Sequence, residues 1–219
     1  MPLQTLEIET GPQPTATVLW LHGLGADGND FAPIVPELVG RNERALRFVF
    51  PHAPVRPITI NGGMRMRAWY DILAFERQAA EDAPGIRATD AAVGELLRRE
   101  NERGIASERI VLAGFSQGGA IALFSGLRYP QKLAGIMALS CYLLLESGLT
   151  AERAPANQGT PIFLAHGNQD PLLEVRRGLQ ARQWLQANGY AVQWHAYDMP
   201  HSVCPQEVAD IADWLRRIV

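Results

Sequence analysis

The chain has 219 residues, 47% of them hydrophobic, and no shift in composition divides it, so a single domain over residues 1–219 with one sizeable core is expected. A net charge of −3 leaves no basic surface for nucleic acid. The longest uncharged apolar stretch, residues 133–145, is too short to span a bilayer, and two cysteines, Cys141 and Cys204, have neither metal-ligand spacing nor the density of a disulfide framework, so both read as free thiols.

In chain order, residues 1–9 lack a basic start and place Glu7 and Glu9 where a secretory signal would be apolar, which predicts a cytosolic protein. Residues 17–21 form the first β-rich run. The segment after it, Gly23-Leu24-Gly25-Ala26-Asp27-Gly28, also spells the dinucleotide pattern G-x-G-x-x-G. That use is disfavoured: Pro33 and Pro36 interrupt the helix whose N-terminus should hold a pyrophosphate, Asp27 sets a negative charge beside it, and no acid ends the next strand at 47–50. Residues 51–88 are different in kind. They carry Pro51, Pro54, Pro57 and Pro84, the turn Asn61-Gly62-Gly63, and Met64, Met66, Trp69 and Tyr70, and read as a long loop serving a site. A helix capped at Thr89-Asp90 and running to about Arg103 follows, with Ala92, Val93, Leu96 and Leu97 on one face. Further strands are predicted at 109–113, 134–139, 161–165 and 190–197, and further helices at 174–188 and 206–218. Such alternation implies an α/β fold with a mostly parallel sheet covered on both faces.

The strand at 109–113 runs straight into Gly114-Phe115-Ser116-Gln117-Gly118 and then into the apolar Gly119-Ala120-Ile121-Ala122-Leu123. G-x-S-x-G between a strand and a helix presents a serine at a sharp turn. The chain doubles back there, so the positions two before and two after the serine must be small. A serine hydroxyl needs a base to take its proton and an acid to orient that base. In chain order the acid follows the serine and the base comes last. His201, between the last strand and the last helix, fits the base; His195 lies inside the strand pattern, and His22, His52 and His166 come too early. For the acid, Asp170 sits in a loop beyond the strand at 161–165, with Glu174 and Asp198 as alternatives. Glu174 would more simply stabilise the first turn of its helix. Oxyanion donors are expected from the backbone N–H groups of Leu24, in His22-Gly23-Leu24-Gly25, and of Gln117. No two histidines stand at i, i+4, and no metal is predicted.

Taken together, His22 to Asp27, Thr59-Ile60-Asn61-Gly62-Gly63, Ala68-Trp69-Tyr70-Asp71-Ile72, Gly114 to Gly119, the His166-Gly167 to Asp170 loop and His201 resemble the phospholipase/carboxylesterase family across nearly the whole chain. That resemblance implies an α/β-hydrolase without a large cap domain, acting through an acyl-enzyme with Ser116, Asp170 and His201 as the triad and Leu24 and Gln117 as oxyanion donors. It implies no cofactor. Two departures stand out. Pro200 precedes the histidine where the family commonly has Gly, so the loop must take a course compatible with a fixed φ, and Pro171-Leu172-Leu173 replaces the frequent Val-Val after the acid. Leu24, Met66, Trp69 and Leu172 are the candidate walls of an acyl channel. The expected activity is a serine carboxylesterase on short to medium acyl esters, since Trp69 and Leu172 are bulky; the alternative is an acyl-protein thioesterase or lysophospholipase, and a non-catalytic binding protein on the same fold is disfavoured. The substrate is a small ester or thioester, and the oligomeric state is left open, a homodimer included.

Overall fold

The computed structural model describes residues 3–40, 44–74 and 80–219. Nine strands and six α-helices are assigned there: β1 (Thr5–Glu9), β2 (Ala16–Leu21), α1 (Val35–Val39), β3 (Leu46–Pro51), β4 (Val55–Ile58), β5 (Met64–Arg67), α2 (Ala83–Glu102), β6 (Ile110–Phe115), α3 (Gln117–Arg128), β7 (Gly135–Leu139), α4 (Glu146–Glu152), β8 (Ile162–Gly167), α5 (Val175–Ala187), β9 (Val192–Tyr197) and α6 (Pro205–Ile218). Seven strands form one sheet in the order β1-β3-β2-β6-β7-β8-β9. All pairings in it are parallel except β1 with β3.

The central strands are continuous apolar runs because both of their faces are covered. Successive side chains point to opposite sides, so Leu19, Leu21, Ile110 and Leu112 join one core with residues of α2, α3 and α5, while Val18, Trp20, Val111 and Ala113 join another with α1 and α6. This is the α/β-hydrolase architecture. Between β2 and β6 the order of the sheet reverses direction, β3 lying outward on one side and β7 on the other. Crevices at the carboxyl ends of strands beside such a reversal are where open α/β sheets bind ligands.

Several elements differ from the expectation. β1 pairs antiparallel at the edge of the sheet, and its alternation was hidden by Glu7 and Glu9, which are held by Arg99 and Arg103 and by Arg47. Inside the stretch 51–88, β4 and β5 form a two-stranded antiparallel ribbon, with Met64 and Val55 exposed; residues 75–79 of that stretch lie outside the described residues. Helix α2 begins at Ala83 rather than near Thr89, because the Asp82 carboxylate accepts the Gly85 N–H and Pro84 sits where a helix tolerates proline. Helix α4 was not anticipated. At the inner end of the sheet Glu100, fully buried on α2, binds the Thr17 hydroxyl at 2.9 Å, Arg47 at 2.9 Å and Arg103 at 2.8 Å.

Candidate active site

β6 ends at Phe115, and the next residue, Ser116, has φ +54° and ψ −119°. A non-glycine residue held there stores strain of about 1–3 kcal/mol, which persists only because the surroundings fix it. The two glycines explain how. A Cβ on Gly114 would lie 2.3 Å from the Gly118 carbonyl carbon, and one on Gly118 would lie 2.3 Å from Leu21 O and 2.5 Å from His22 O. The Ser116 N–H bonds to Leu139 O at 2.8 Å, tying the turn to β7.

His201 Nε2 lies 2.9 Å from Ser116 Oγ, and His201 Nδ1 lies 2.5 Å from Asp170 Oδ2. Asp170 is buried, and its other oxygen accepts the N–H groups of Leu172 at 2.9 Å and Leu173 at 2.8 Å. Every oxygen of that carboxylate is therefore held by a donor, which fixes the edge it offers to the imidazole. His166 stands behind it, 3.5 Å from Asp170 Oδ2, with Nε2–H donated to Leu173 O at 2.8 Å; burial pulls its pKa below the ordinary value, so it is neutral near pH 7. Pro200 is accommodated without a positive φ on His201. The loop instead leans on the missing side chain of Gly167, where a Cβ would meet Met199 O at 2.4 Å and Pro200 O at 2.5 Å. Phe115 packs against the His201 ring at 4.8 Å between centroids.

The alternatives lie elsewhere. His195 stacks between Phe163 and Tyr197 on β9, Glu174 is exposed beside Arg176 at the start of α5, and Asp198 accepts from Gln169 on the surface. The G-x-G-x-x-G segment leads into one turn of 3-10 helix, Ala32–Ile34, and the short α1, not into a long helix.

Among the described residues neither the Leu24 nor the Gln117 backbone N–H gives its proton to a protein acceptor. The peptide that carries the Leu24 N–H is fixed from behind, since its carbonyl, Gly23 O, lies 2.7 Å from His22 Nδ1. Because His22 Nε2 accepts the Ala53 N–H at 3.1 Å, the proton must sit on Nδ1. Burial holds the His22 pKa down and keeps the ring in that form.

A cavity of about 460 Å³ opens beside Ser116 and His201. Leu24 and Leu172 line it, Leu172 being 71% exposed at its mouth. Met66 and Trp69 do not line it: Met66 sits on β5 under Gly25, and Trp69 is fully buried with its indole N–H donated to His22 O at 2.8 Å. The walls come instead from Ile72, Leu73, Leu143 and Leu144, and from Tyr70 and Tyr142, whose hydroxyls bond to each other at 2.8 Å. Burial pushes both phenols above their ordinary pKa, so both stay protonated. Tyr70 stands inside the Ala68 to Ile72 segment that marked the family, whereas Tyr142 and Leu144 had only their place after an apolar strand to signal them.

Fold, elbow and cavity together define a serine hydrolase of the α/β-hydrolase class. The family model of phospholipases and carboxylesterases matches residues 4–219, and the chain belongs to that family. It is 45% identical to acyl-protein thioesterase 1 of Neurospora crassa over 92% of this chain and 86% of that one. Among solved structures it resembles Arabidopsis thaliana SOBER1, with a TM-score of 0.86, 30% identity and coverage of 92% and 98% of the two chains. It also resembles Zea mays acyl-protein thioesterase 2, with a TM-score of 0.85, 28% identity and 98% of each chain covered.

Proposed function

We propose that the protein is an acyl-protein thioesterase that cleaves acyl thioesters, and the corresponding oxygen esters, through an acyl-enzyme on Ser116. The observation that carries this reading is the Ser116–His201–Asp170 chain of hydrogen bonds at the mouth of a cavity with apolar walls. Similarity to an acyl-protein thioesterase at 45% identity supports the thioester over the plain ester. The expectation of short to medium acyl esters leaned on the bulk of Trp69 and Leu172 closing the channel; Leu172 lines the cavity, but Trp69 lies outside its wall.

In the reaction His201 Nε2 takes the Ser116 proton as Oγ attacks the carbonyl carbon, and Asp170 holds the Nδ1–H and stabilises the imidazolium. Charge develops on the former carbonyl oxygen, which accepts the Leu24 and Gln117 N–H groups. Collapse breaks the C–S bond, the His201 proton goes to the departing thiolate, and the acyl group stays on Oγ. Water then repeats the sequence and releases the carboxylic acid. A second reading, a carboxylesterase for shorter acyl groups, is favoured by the Tyr70–Tyr142 hydroxyl pair, which sets polar atoms in the wall along which a long methylene chain would run.

The test is kcat/KM for matched acyl thioesters and esters from C4 to C16, run beside labelling by a fluorophosphonate. Each buried methylene is worth about 0.8 kcal/mol, so kcat/KM should climb with chain length until the cavity is full, with the thioester ahead of its ester at each length. A maximum at butyrate with the ester ahead would establish the second reading. Ser116→Ala should abolish labelling and turnover, His201→Ala should cost about as much, and Asp170→Asn somewhat less; full activity in Ser116→Ala would remove the nucleophile assignment.

A further inference from the structure

Trp69 and the side chain of Gln117 have no part in the reaction as written, yet both are buried in a hydrogen-bonded cluster next to it. The Gln117 carboxamide bridges two peptide units, those on either side of the one joining Trp69 to Tyr70. Its Oε1 accepts the Trp69 N–H at 2.8 Å, and its Nε2–H is donated to Tyr70 O at 2.8 Å. From the same residue the Trp69 indole N–H reaches across to His22 O at 2.8 Å, and Thr89 Oγ donates to Trp69 O. A single tryptophan thus touches both halves of the oxyanion site: the residue that carries the Gln117 donor, and the peptide immediately before the one that carries the Leu24 donor.

We propose that the Gln117 carboxamide and the Trp69 indole form a cross-brace that sets the spacing of the Leu24 and Gln117 backbone donors, which makes both side chains positioning residues for oxyanion stabilisation. The physical need is clear from the local chain. Leu24 follows β2 in a glycine-rich loop, with Gly23 before it and Gly25 at φ +79° after it, and the hydrogen bonds of His22 to Gly23 O and of the Gly25 N–H to Arg67 O tie this loop to the histidine and to β5, not to α3. Gln117 sits on the first turn of α3, a different element. Two donors on separate elements aim at one oxygen only if something rigid joins them. Trp69 supplies the rigid body, and the low-dielectric surroundings strengthen each bond to it. The brace also reaches the cavity, because Tyr70, held through its carbonyl by Gln117 Nε2, turns its hydroxyl to Tyr142 in the wall. The inference rests on the oxyanion assignment proposed above.

Gln117→Met keeps the length and apolar body of the side chain and loses both hydrogen bonds; Trp69→Phe keeps the backbone pairing and loses the bond to His22 O together with part of the ring packed on His22. Activity is counted per serine titrated with a fluorophosphonate, so that misfolded protein drops out. Misplacing a donor should cost about ten- to a hundredfold in kcat, with KM changed by less than about threefold. The inhibition constant of an acyl trifluoromethyl ketone, whose adduct on Ser116 places an oxyanion between the donors, should rise by the same factor as kcat falls. Trp69→Phe should show a smaller loss with the same pattern, and the double variant should lose less than the product of the two. If Gln117→Met yields no folded protein, Trp69→Phe alone decides by the same pair of numbers. An unchanged kcat, a loss confined to KM, or a fall in kcat without weaker ketone binding overturns the brace. Ser116→Ala separates the two levels: activity surviving there would overturn the underlying site, whereas a dead Ser116→Ala with an intact Gln117→Met would overturn the brace alone.

Discussion

At the scale of single residues, glycines of identical chemistry stand under opposite constraints. Gly118 lies against the backbone at the end of β2, and an added methyl would sit 2.3 Å from Leu21 O. Gly94, inside α2, has nothing within 4 Å of the position its Cβ would take. Gly118→Ala should therefore destabilise the protein and lower kcat/KM, because the only relief is to push the end of β2, and Leu24 with it, away from the elbow. Gly94→Ala should raise stability by roughly 0.5–1 kcal/mol through reduced backbone entropy in the unfolded chain, with no effect on turnover. Denaturant midpoints and kcat/KM for the two variants check both; a Gly118→Ala protein with unaltered kinetics would mean that β2 can shift without moving the oxyanion loop. That Ser116, His201 and Asp170 meet was legible in the sequence because the turn and the loop order bring those positions together, and the roles proposed for them and for the Leu24 and Gln117 N–H groups rest on the same positions. Trp69 was misplaced because a large aromatic beside a site reads as a wall, and only its hydrogen bonds reveal that it is buried behind one.

At the scale of elements, the parallel strands announced themselves as short apolar runs, while β1, β4 and β5 did not. An edge strand carrying acids, and a ribbon with the exposed sequence Met64-Arg65-Met66-Arg67, bury too little for their period to show. The start of α2 was hidden for another reason, since Pro84 and Gly85 look like breakers until Asp82 is seen to cap them. Helix α6 carries its own test. Glu207, on its first turn, is fully buried, and neither carboxylate oxygen completes a hydrogen bond. Burial pushes its pKa up to about 8; the nearby Cys204 N–H opposes this, and Asp210 adds to it. The folded protein therefore keeps a proton that the unfolded chain releases above its ordinary value near 4.5. Stability from this group is greatest at low pH and falls as pH rises from about 4.5 to 8. Glu207→Gln should remove that slope and leave the variant more stable than the parent at pH 8, by an amount on the order of a few kcal/mol at most. Unfolding followed at pH 5 and pH 8 decides it: a parent and variant whose difference does not change with pH would mean that Glu207 is ionised in the fold.

At the scale of the whole molecule, the alternation of strands and helices gave the architecture, but it could not say which strands are neighbours. That order depends on chain crossovers far apart in sequence, and it is what brings residues 22–24, 116 and 117, 170 and 201 to one crevice at the carboxyl ends of β2, β6, β8 and β9. None of those strands is equivalent to the others in exposure. β6 and β2 are enclosed on both sides, whereas β9 is the last strand of the sheet and pairs only with β8. His201 hangs from the loop that leaves β9, so the proposed base is anchored to an edge of the sheet while the proposed nucleophile, Ser116, is anchored to its middle. Strands at an edge open at lower free energy than those within. On heating, turnover should therefore vanish several degrees before the far-ultraviolet circular dichroism changes, and should return on cooling from that interval. Coincident midpoints would show that β9 melts only with the rest. Edge placement of His201 thus makes β9 a thermal fuse: a small, reversible loosening at one margin disconnects the proposed proton acceptor from a serine whose own surroundings are still intact.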